Sequence, residues 1–283
     1  MIYLKLIRIK NWIKNFLIFI PFIFSAKFLD FNTNEYFTLF LGFLCFCFAS
    51  STIYIINDIL DVEEDKLDQY KKTRPIASNK ISINKAKLIA FLLLILTIIC
   101  LCFIKNIFAS LIIIIYISLN LLYSIKLKHI PIIDITILSF FFLIRIFYGG
   151  ILLNIPVSIY LYLTVLSVSY YFGIGKRKKE LEQNKNARKV LEQYPKNFLD
   201  SLLNIFLGTT IIYYSLWIIN YSQVLNQVIL NISIILVIII LIYYHFILHI
   251  EINGNPTDIL VKHKGLVILV ICYCLLVFLG FFI

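Results

Sequence analysis

Asn57-Asp58-Ile59-Leu60-Asp61-Val62-Glu63-Glu64-Asp65, followed at once by Lys66, Asp68, Lys71, Lys72, Thr73, Arg74 and Pro75, sets the terms for the whole chain. It follows a run of about twenty apolar residues, the length that crosses a bilayer as a helix, so the acids stand at a membrane-helix end. With about 100° per residue, Asp58, Asp61 and Asp65 fall near 0°, 300° and 340°, on one narrow face. Carboxylates that close repel each other unless a cation lies among them. Hard oxygen ligands at that spacing suit Mg²⁺, which shares its shell with substrate phosphates and water. The basic run behind them suggests an anion held between metal and Lys or Arg. The plainer alternative is a solvated helix end carrying ordinary acids.

Working outward, the composition places this stretch in a membrane. Apolar residues make up 61% of the 283 and charged residues only 14%, against about 25% charged in soluble domains. The net charge of +11 would suggest nucleic acid in a soluble chain, but its distribution argues for topology instead. Nine helical spans are expected: Trp12–Leu29, Tyr36–Ile56, Leu88–Ile104, Ile107–Ile125, Ile132–Leu153, Val157–Ile174, Leu199–Asn220, Val228–Ile250 and Leu266–Ile283. In hydrocarbon every backbone polar group must be bonded internally, so such runs are helices. The expected fold is therefore all-α, a polytopic membrane protein forming a single domain over 1–283.

Lysines and arginines gather at the amino terminus and in the connections after spans two, four, six and eight. Only Lys27 and Lys105 fall on the other side, with Arg145 inside span five. The positive-inside rule puts the amino terminus and the polar connections in the cytoplasm. The first basic-then-apolar segment lacks a small-residue cleavage pattern and reads as a retained span. Cys45/Cys47, Cys100/Cys102 and Cys272/Cys274 are each spaced two apart, on opposite helix faces, so no pair can share a metal or a disulfide; buried, inert thiols are expected.

The connections hold the candidate chemistry. Lys10 and Lys14 stand at the entrance of span one, as headgroup anchors or as ligands. Lys72 and Arg74 follow the acids, and an arginine there can grip phosphate in a bidentate manner. Asp134 lies just inside span five, and Arg145, eleven residues on, shares its stripe about 16 Å away. An ionisable group that deep marks a functional site or a buried structural pair. Gly173 and Gly175 at the exit of span six are read as room for close approach of a ligand, with Lys176 and Arg177 directly behind. Lys176–Lys196 is expected to form a surface helix and turn. The polar turn from Glu251 to Asp258 suggests no role. No phosphate-cradling P-loop and no Ser/His/Asp arrangement is present. The picture is a pocket lined by Mg²⁺ and basic groups, open to the cytoplasm, suited to a diphosphate-bearing substrate with an apolar partner.

Asn57-Asp58-x-x-Asp61-x-x-x-Asp65 with Thr73-Arg74-Pro75-Ile76-Ala77-Ser78 behind it resembles the first aspartate motif of the UbiA-type intramembrane prenyltransferase superfamily. Aromatic prenyltransferases of that superfamily carry a second aspartate motif after span six; this chain has Gly175-Lys176-Arg177-Lys178-Lys179-Glu180-Leu181 there. Together with Trp12-Ile13-Lys14-Asn15 and Tyr123-Ser124…Leu127-Lys128…Asp134, this resembles the decaprenyl-phosphate phosphoribosyltransferase branch. The resemblance implies transfer of 5-phosphoribosyl from phosphoribosyl diphosphate to a polyprenyl phosphate, with Mg²⁺ on Asp58, Asp61 and Asp65. It further implies substrate contacts from Lys14, Asn57, Lys72, Arg74, Tyr123, Lys126, Lys128, Asp134, Arg145, Lys176 and Arg177. The extra phosphates of those substrates, each monoester bearing about −1.5 to −2, suit the exchange of acids for Lys and Arg. An ionised lipid phosphate needs no general base. A bacterial inner-membrane enzyme with a cytoplasmic site and no nucleic-acid partner is expected. The nearest rival transfers an isoprenyl group from a prenyl diphosphate to an aromatic or other hydrophobic acceptor. A transporter or channel is disfavoured because the charges cluster at one membrane face.

Overall fold

The computed structural model describes residues 2–25, 31–67, 71–183, 193–195, 197–221, 226–251 and 256–282. All regular structure among them is helical. The chain opens with α1 (Ile2–Ile7), a 3₁₀ segment (Ile9–Phe19) and α2 (Ile20–Ile23). Then come α3 (Thr33–Leu60), α4 (Val62–Leu67), α5 (Ile83–Ile104), α6 (Ile107–Ile125), α7 (Ile133–Leu152) and α8 (Ile159–Gln183). It closes with α9 (Phe198–Ile219), α10 (Gln227–Ile250), α11 (Pro256–Lys262) and α12 (Lys264–Phe282). Six of these, α3, α5, α6, α7, α9 and α10, are long and apolar enough to cross a membrane, and α12 is a shorter apolar helix.

Polar residues at the helix starts fix where the apolar runs begin. Asn32 and Glu35 form a reciprocal capping box on α3, with bonds of 3.0 and 2.8 Å. Asn106 accepts from the Phe108 and Ala109 amides to start α6 and donates its own amide to the Ile151 carbonyl at 3.2 Å. Lys105, left-handed at φ 53°, closes the tight turn between α5 and α6.

Two expected spans take a different form. The first is a 3₁₀ helix over Ile9–Phe19 continued by α2; residues 26–29 of the expected span lie outside the described residues. Its inward side chains explain the form. Asn15, Ile18 and Pro21 are buried and Trp12 half-buried, one every third residue. Such a row stays aligned at 3.0 residues per turn and would drift around an α-helix. Span six was expected to end at Ile174, but α8 continues through the two glycines to Gln183. Those glycines serve packing: a Cβ on Gly175 would lie 2.8 Å from Leu248, and one on Gly173 would lie 3.2 Å from Ile135. The remainder of the expected surface segment, 184–192 and Lys196, lies outside the described residues. All six cysteines are free; Cys45, Cys47 and Cys100 are buried while Cys102, Cys272 and Cys274 are exposed.

The chain divides into two compact units, residues 1–127 with 144–156, and residues 128–143 with 157–283, α7 being split between them. In the first unit α3 packs along α5, α6 and the 3₁₀ segment. Leu6, Ile55, Ile76, Ile81, Ala86, Ala90 and Leu93 form a core that ties α1 and the turn after Arg74 to the end of α3. In the second unit α8 packs on α9, and α10 on α9 and α12. Its core joins Ile135, Tyr171, Ile174, Leu203, Tyr244 and Leu248, with Tyr170 stacked on Phe206 at 4.5 Å.

Gly149 on α7 meets the 3₁₀ segment backbone to backbone: an added Cβ would lie 2.0 Å from the Ile18 carbonyl oxygen. Gly149→Ala should therefore lower thermal stability in detergent by about 1–3 kcal/mol despite alanine's better helix propensity. Gly208→Ala, whose added Cβ meets no described atom beyond its own helix backbone within 4 Å, is the control. Equal melting temperatures in the two variants would refute the close approach.

Candidate active site

The acidic stretch straddles a joint. α3 ends at Leu60, Asp61 caps it at φ −94°, and α4 resumes at Val62. Hydrogen bonding continues across the joint, the Asp61 amide donating to Asn57 at 2.9 Å and the Asp65 amide to Asp61 at 2.8 Å. The ladder therefore continues across the interruption, and the face expected from the spacing brings Asp58 and Asp65 together on Arg74. Both are 2% exposed. Arg74 Nη1 donates to Asp58 Oδ1 at 3.0 Å and to Asp65 Oδ2 at 2.5 Å. Burial pushes the Asp65 carboxyl up from its ordinary value, and the charge of Arg74 opposes that rise.

Arg74 is held in place by its own turn. Its amide donates to the Lys71 carbonyl at 2.9 Å, and its carbonyl accepts from Ser78 Oγ at 2.7 Å. Ile76 and Ala77 are buried beneath it. A second guanidinium, that of Arg8, donates to Asp58 Oδ1 and lies over the Tyr54 ring at 5.1 Å. Trp12 and Ser51 anchor the 3₁₀ segment alongside: Trp12 Nε1 donates to Ser51 Oγ at 3.0 Å, and Ser51 Oγ donates to the Ile7 carbonyl at 2.8 Å.

The remaining expected residues of this unit are more dispersed. Asn57 Oδ1 is buried with no hydrogen-bond partner among the described residues. Asp61, Lys14 and Tyr123 are half-buried, while Lys72 and Lys126 are exposed. Arg145 is 3% exposed and sits in a network of its own. Its Nε donates to Asn15 Oδ1 at 2.8 Å and Nη2 to the Tyr116 hydroxyl at 3.4 Å, with the rings of Phe46 and Tyr116 at 5.0 and 5.4 Å. Asn15 passes the chain on, donating to Ser50 Oγ at 3.3 Å and Cys47 Sγ at 3.2 Å. Among the described residues no three His, Cys, Asp or Glu side chains are grouped to hold a metal.

Asp134, Lys128, Lys176 and Arg177 belong to the second unit. Arg177 is 1% exposed; its Nε donates to Asp134 Oδ2 at 2.7 Å and Nη1 to Glu180 Oε2 at 2.6 Å. The Tyr194 hydroxyl donates to Asp134 Oδ1 at 3.1 Å, and burial lifts the Tyr194 phenol to about 12, so it remains a donor. Lys176 is 44% exposed, 4.0 Å from Glu180, and Lys128 is half-buried. Sequence reasoning missed Arg8, Asn15, Tyr116 and Tyr194. Arg8 read as one more topology charge, and nothing in the sequence joined Tyr194 to Asp134. Asn15 carried a signal, as a polar residue in the inward row of an apolar run.

Comparison with known proteins agrees with this architecture. The UbiA prenyltransferase family matches residues 18–255. A Decaprenyl-phosphate phosphoribosyltransferase of Corynebacterium glutamicum is 31% identical over 226 residues, 78% of this chain and 68% of that protein. One of Mycolicibacterium smegmatis is 28% identical over 284 residues, 95% of this chain and 89% of the other. Among solved structures, a UbiA homologue from Archaeoglobus fulgidus bound to DMAPP and Mg²⁺ superposes with TM-score 0.71 at 21% identity. The superposition covers 99% of this chain and 98% of that one. The fold is shared across nearly the full length, the apolar helices make this a multi-pass membrane protein, and the chain belongs to the UbiA prenyltransferase family.

Proposed function

We propose that this chain transfers the 5-phosphoribosyl group of phosphoribosyl diphosphate to a polyprenyl phosphate and releases diphosphate. The observation that carries the reading is the identity of 31% and 28% to two phosphoribosyltransferases over most of the chain. Lys176-Arg177-Lys178-Lys179, in the place where prenyltransferases of the resemblance carry aspartates, supports it on charge. We place the enzyme in a bacterial inner membrane with nine spans, the amino terminus and site facing the cytoplasm.

The residues present fit a hard divalent cation. Two buried carboxylates, Asp58 and Asp65, meet on one positive nitrogen, and the neighbouring Asn57 Oδ1 lies buried with no partner among the described residues. In this reading Asp58 and Asp65, joined by Asp61, would hold Mg²⁺, which would supply charge neutralisation to the leaving diphosphate. Arg74 and Lys72 hold diphosphate oxygens, Arg74 from a turn its own backbone bonds make rigid. The phosphate of the lipid is already ionised, so no residue need take a proton from it. Orientation of two anions by fixed cations does most of the work. Lys14, Tyr123, Lys126, Lys128 and Lys176 are assigned to the sugar 5-phosphate and lipid phosphate on the sequence resemblance. Asp134, Arg145 and Arg177 position the elements that carry them.

The test is direct. Membranes holding the chain, given radiolabelled phosphoribosyl diphosphate, polyprenyl phosphate and Mg²⁺, should move label into the lipid fraction, and chelation should stop it. Label entering an aromatic acceptor from a prenyl diphosphate, with none from the sugar donor, would establish the rival instead.

A further inference from the structure

Asp58 Oδ1 accepts from two guanidinium groups at once, Arg8 Nη2 and Arg74 Nη1, and Arg74 Nη1 bridges on to Asp65 Oδ2. Two carboxylates are thus matched by two arginines, with the charge of Lys71 also acting on Asp65. The partners differ in burial. Each carboxylate is 2% exposed, whereas the Arg8 and Arg74 side chains are 22% and 25% exposed. An arginine at such an edge can turn its head to water with little desolvation, while the carboxylates cannot follow.

The backbone aims Arg8 at this spot. It joins α1 to the 3₁₀ segment in the left-handed conformation, φ 57° and ψ 47°, which residues bearing a Cβ seldom adopt. Its carbonyl accepts from the Asn11 amide at 2.8 Å. The neighbouring Ile7 carbonyl is fixed by Ser51.

We propose that Arg8 and Arg74 are resident counter-ions of the Asp58–Asp65 pair. They release these carboxylates to a divalent cation as their own heads turn to the anionic donor. The proposal rests on the reading of this site as one for a metal and a diphosphate. A metal ion alone must displace two guanidiniums and leave them unpaired beside a like charge. A diphosphate alone meets carboxylates. Arriving together, each finds the partner the other has freed, so the two bind cooperatively and the metal alone binds weakly. Arg8 is on this account a positioning residue that sets metal affinity from the opposite direction to a ligand.

The experiment uses the full chain in lipid nanodiscs with Mn²⁺ as probe, a hard ion of similar geometry to Mg²⁺, and inorganic diphosphate. Free Mn²⁺ is followed by electron paramagnetic resonance, and thermal unfolding is recorded alongside. Arg8→Ala and Arg8→Gln should bind Mn²⁺ alone about 10- to 100-fold more tightly than the wild type, the span of one charge-assisted hydrogen bond. The tightening that diphosphate brings should shrink by a similar factor. Mn²⁺ affinity that is unchanged or weaker in both folded variants overturns the exchange. Tighter Mn²⁺ in a chain that moves no phosphoribosyl group upholds the exchange and removes the donor assignment. Transfer with unchanged Mn²⁺ affinity does the reverse.

Discussion

Asp58→Asn is expected to reduce phosphoribosyl transfer by about 10³-fold or more, the order that loss of one electrostatic partner costs a reacting anion. The protein should nevertheless stay folded. Asparagine keeps the size of the side chain, Arg74 keeps its bond to Asp65, and Arg8, which loses its carboxylate partner, is partly exposed and can turn to water. The loss of stability should therefore stay near 1–2 kcal/mol, with helix content by circular dichroism unchanged. Asp65→Asn, which removes one of the two carboxylates on Arg74 and leaves Asp58 in place, should reduce turnover comparably with a smaller drop in melting temperature. Near-normal turnover in both variants would take the metal and the diphosphate away from this site.

Arg177→Ala should show the opposite balance, a large loss of stability. The Asp134 and Arg177 side chains are 0% and 2% exposed, so truncating the arginine strands a buried carboxylate. Stranding one partner of a buried pair costs about 3–5 kcal/mol, more than the remaining bond from Tyr194 can offset. Adding Asp134→Asn in the same chain removes the stranded charge and should restore much of the melting temperature. Lys176→Ala, at a side chain 44% exposed, should leave the melting temperature alone and raise the KM for the donor several-fold. Should Arg177→Ala instead leave thermal unfolding unaltered and raise KM as Lys176→Ala does, the pair is not a structural one.

These two cases show what the sequence could convey. The convergence of Asp58 and Asp65 follows from helical spacing, which survives the interruption at Asp61 because backbone bonds cross it. Arg74 was legible because it follows the acids closely, and a turn can bring it back. Arg8 was not, since fifty residues separate it from Asp58 and its charge looked like any other lysine or arginine at a membrane face. The apolar helices α3, α5, α6, α7, α9 and α10 were plain from run length. The first segment was misjudged because hydropathy reports burial in lipid and not helical pitch; the period-three row of Trp12, Asn15, Ile18 and Pro21 carried that information. Gly173 and Gly175 misled for a related reason: glycine signals close approach, and nothing local says whether a ligand or a neighbouring helix does the approaching.

The tightly wound opening segment also bears on how the chain enters the bilayer. At about 2.0 Å of rise per residue, the 11 residues of Ile9–Phe19 climb about 22 Å, a depth for which an ordinary α-helix needs about 15 residues. One inserted residue there would rotate everything beyond it by about 120°. An alanine placed between Trp12 and Asn15 would carry Asn15 away from Arg145 and leave that cation facing aromatic rings without its amide.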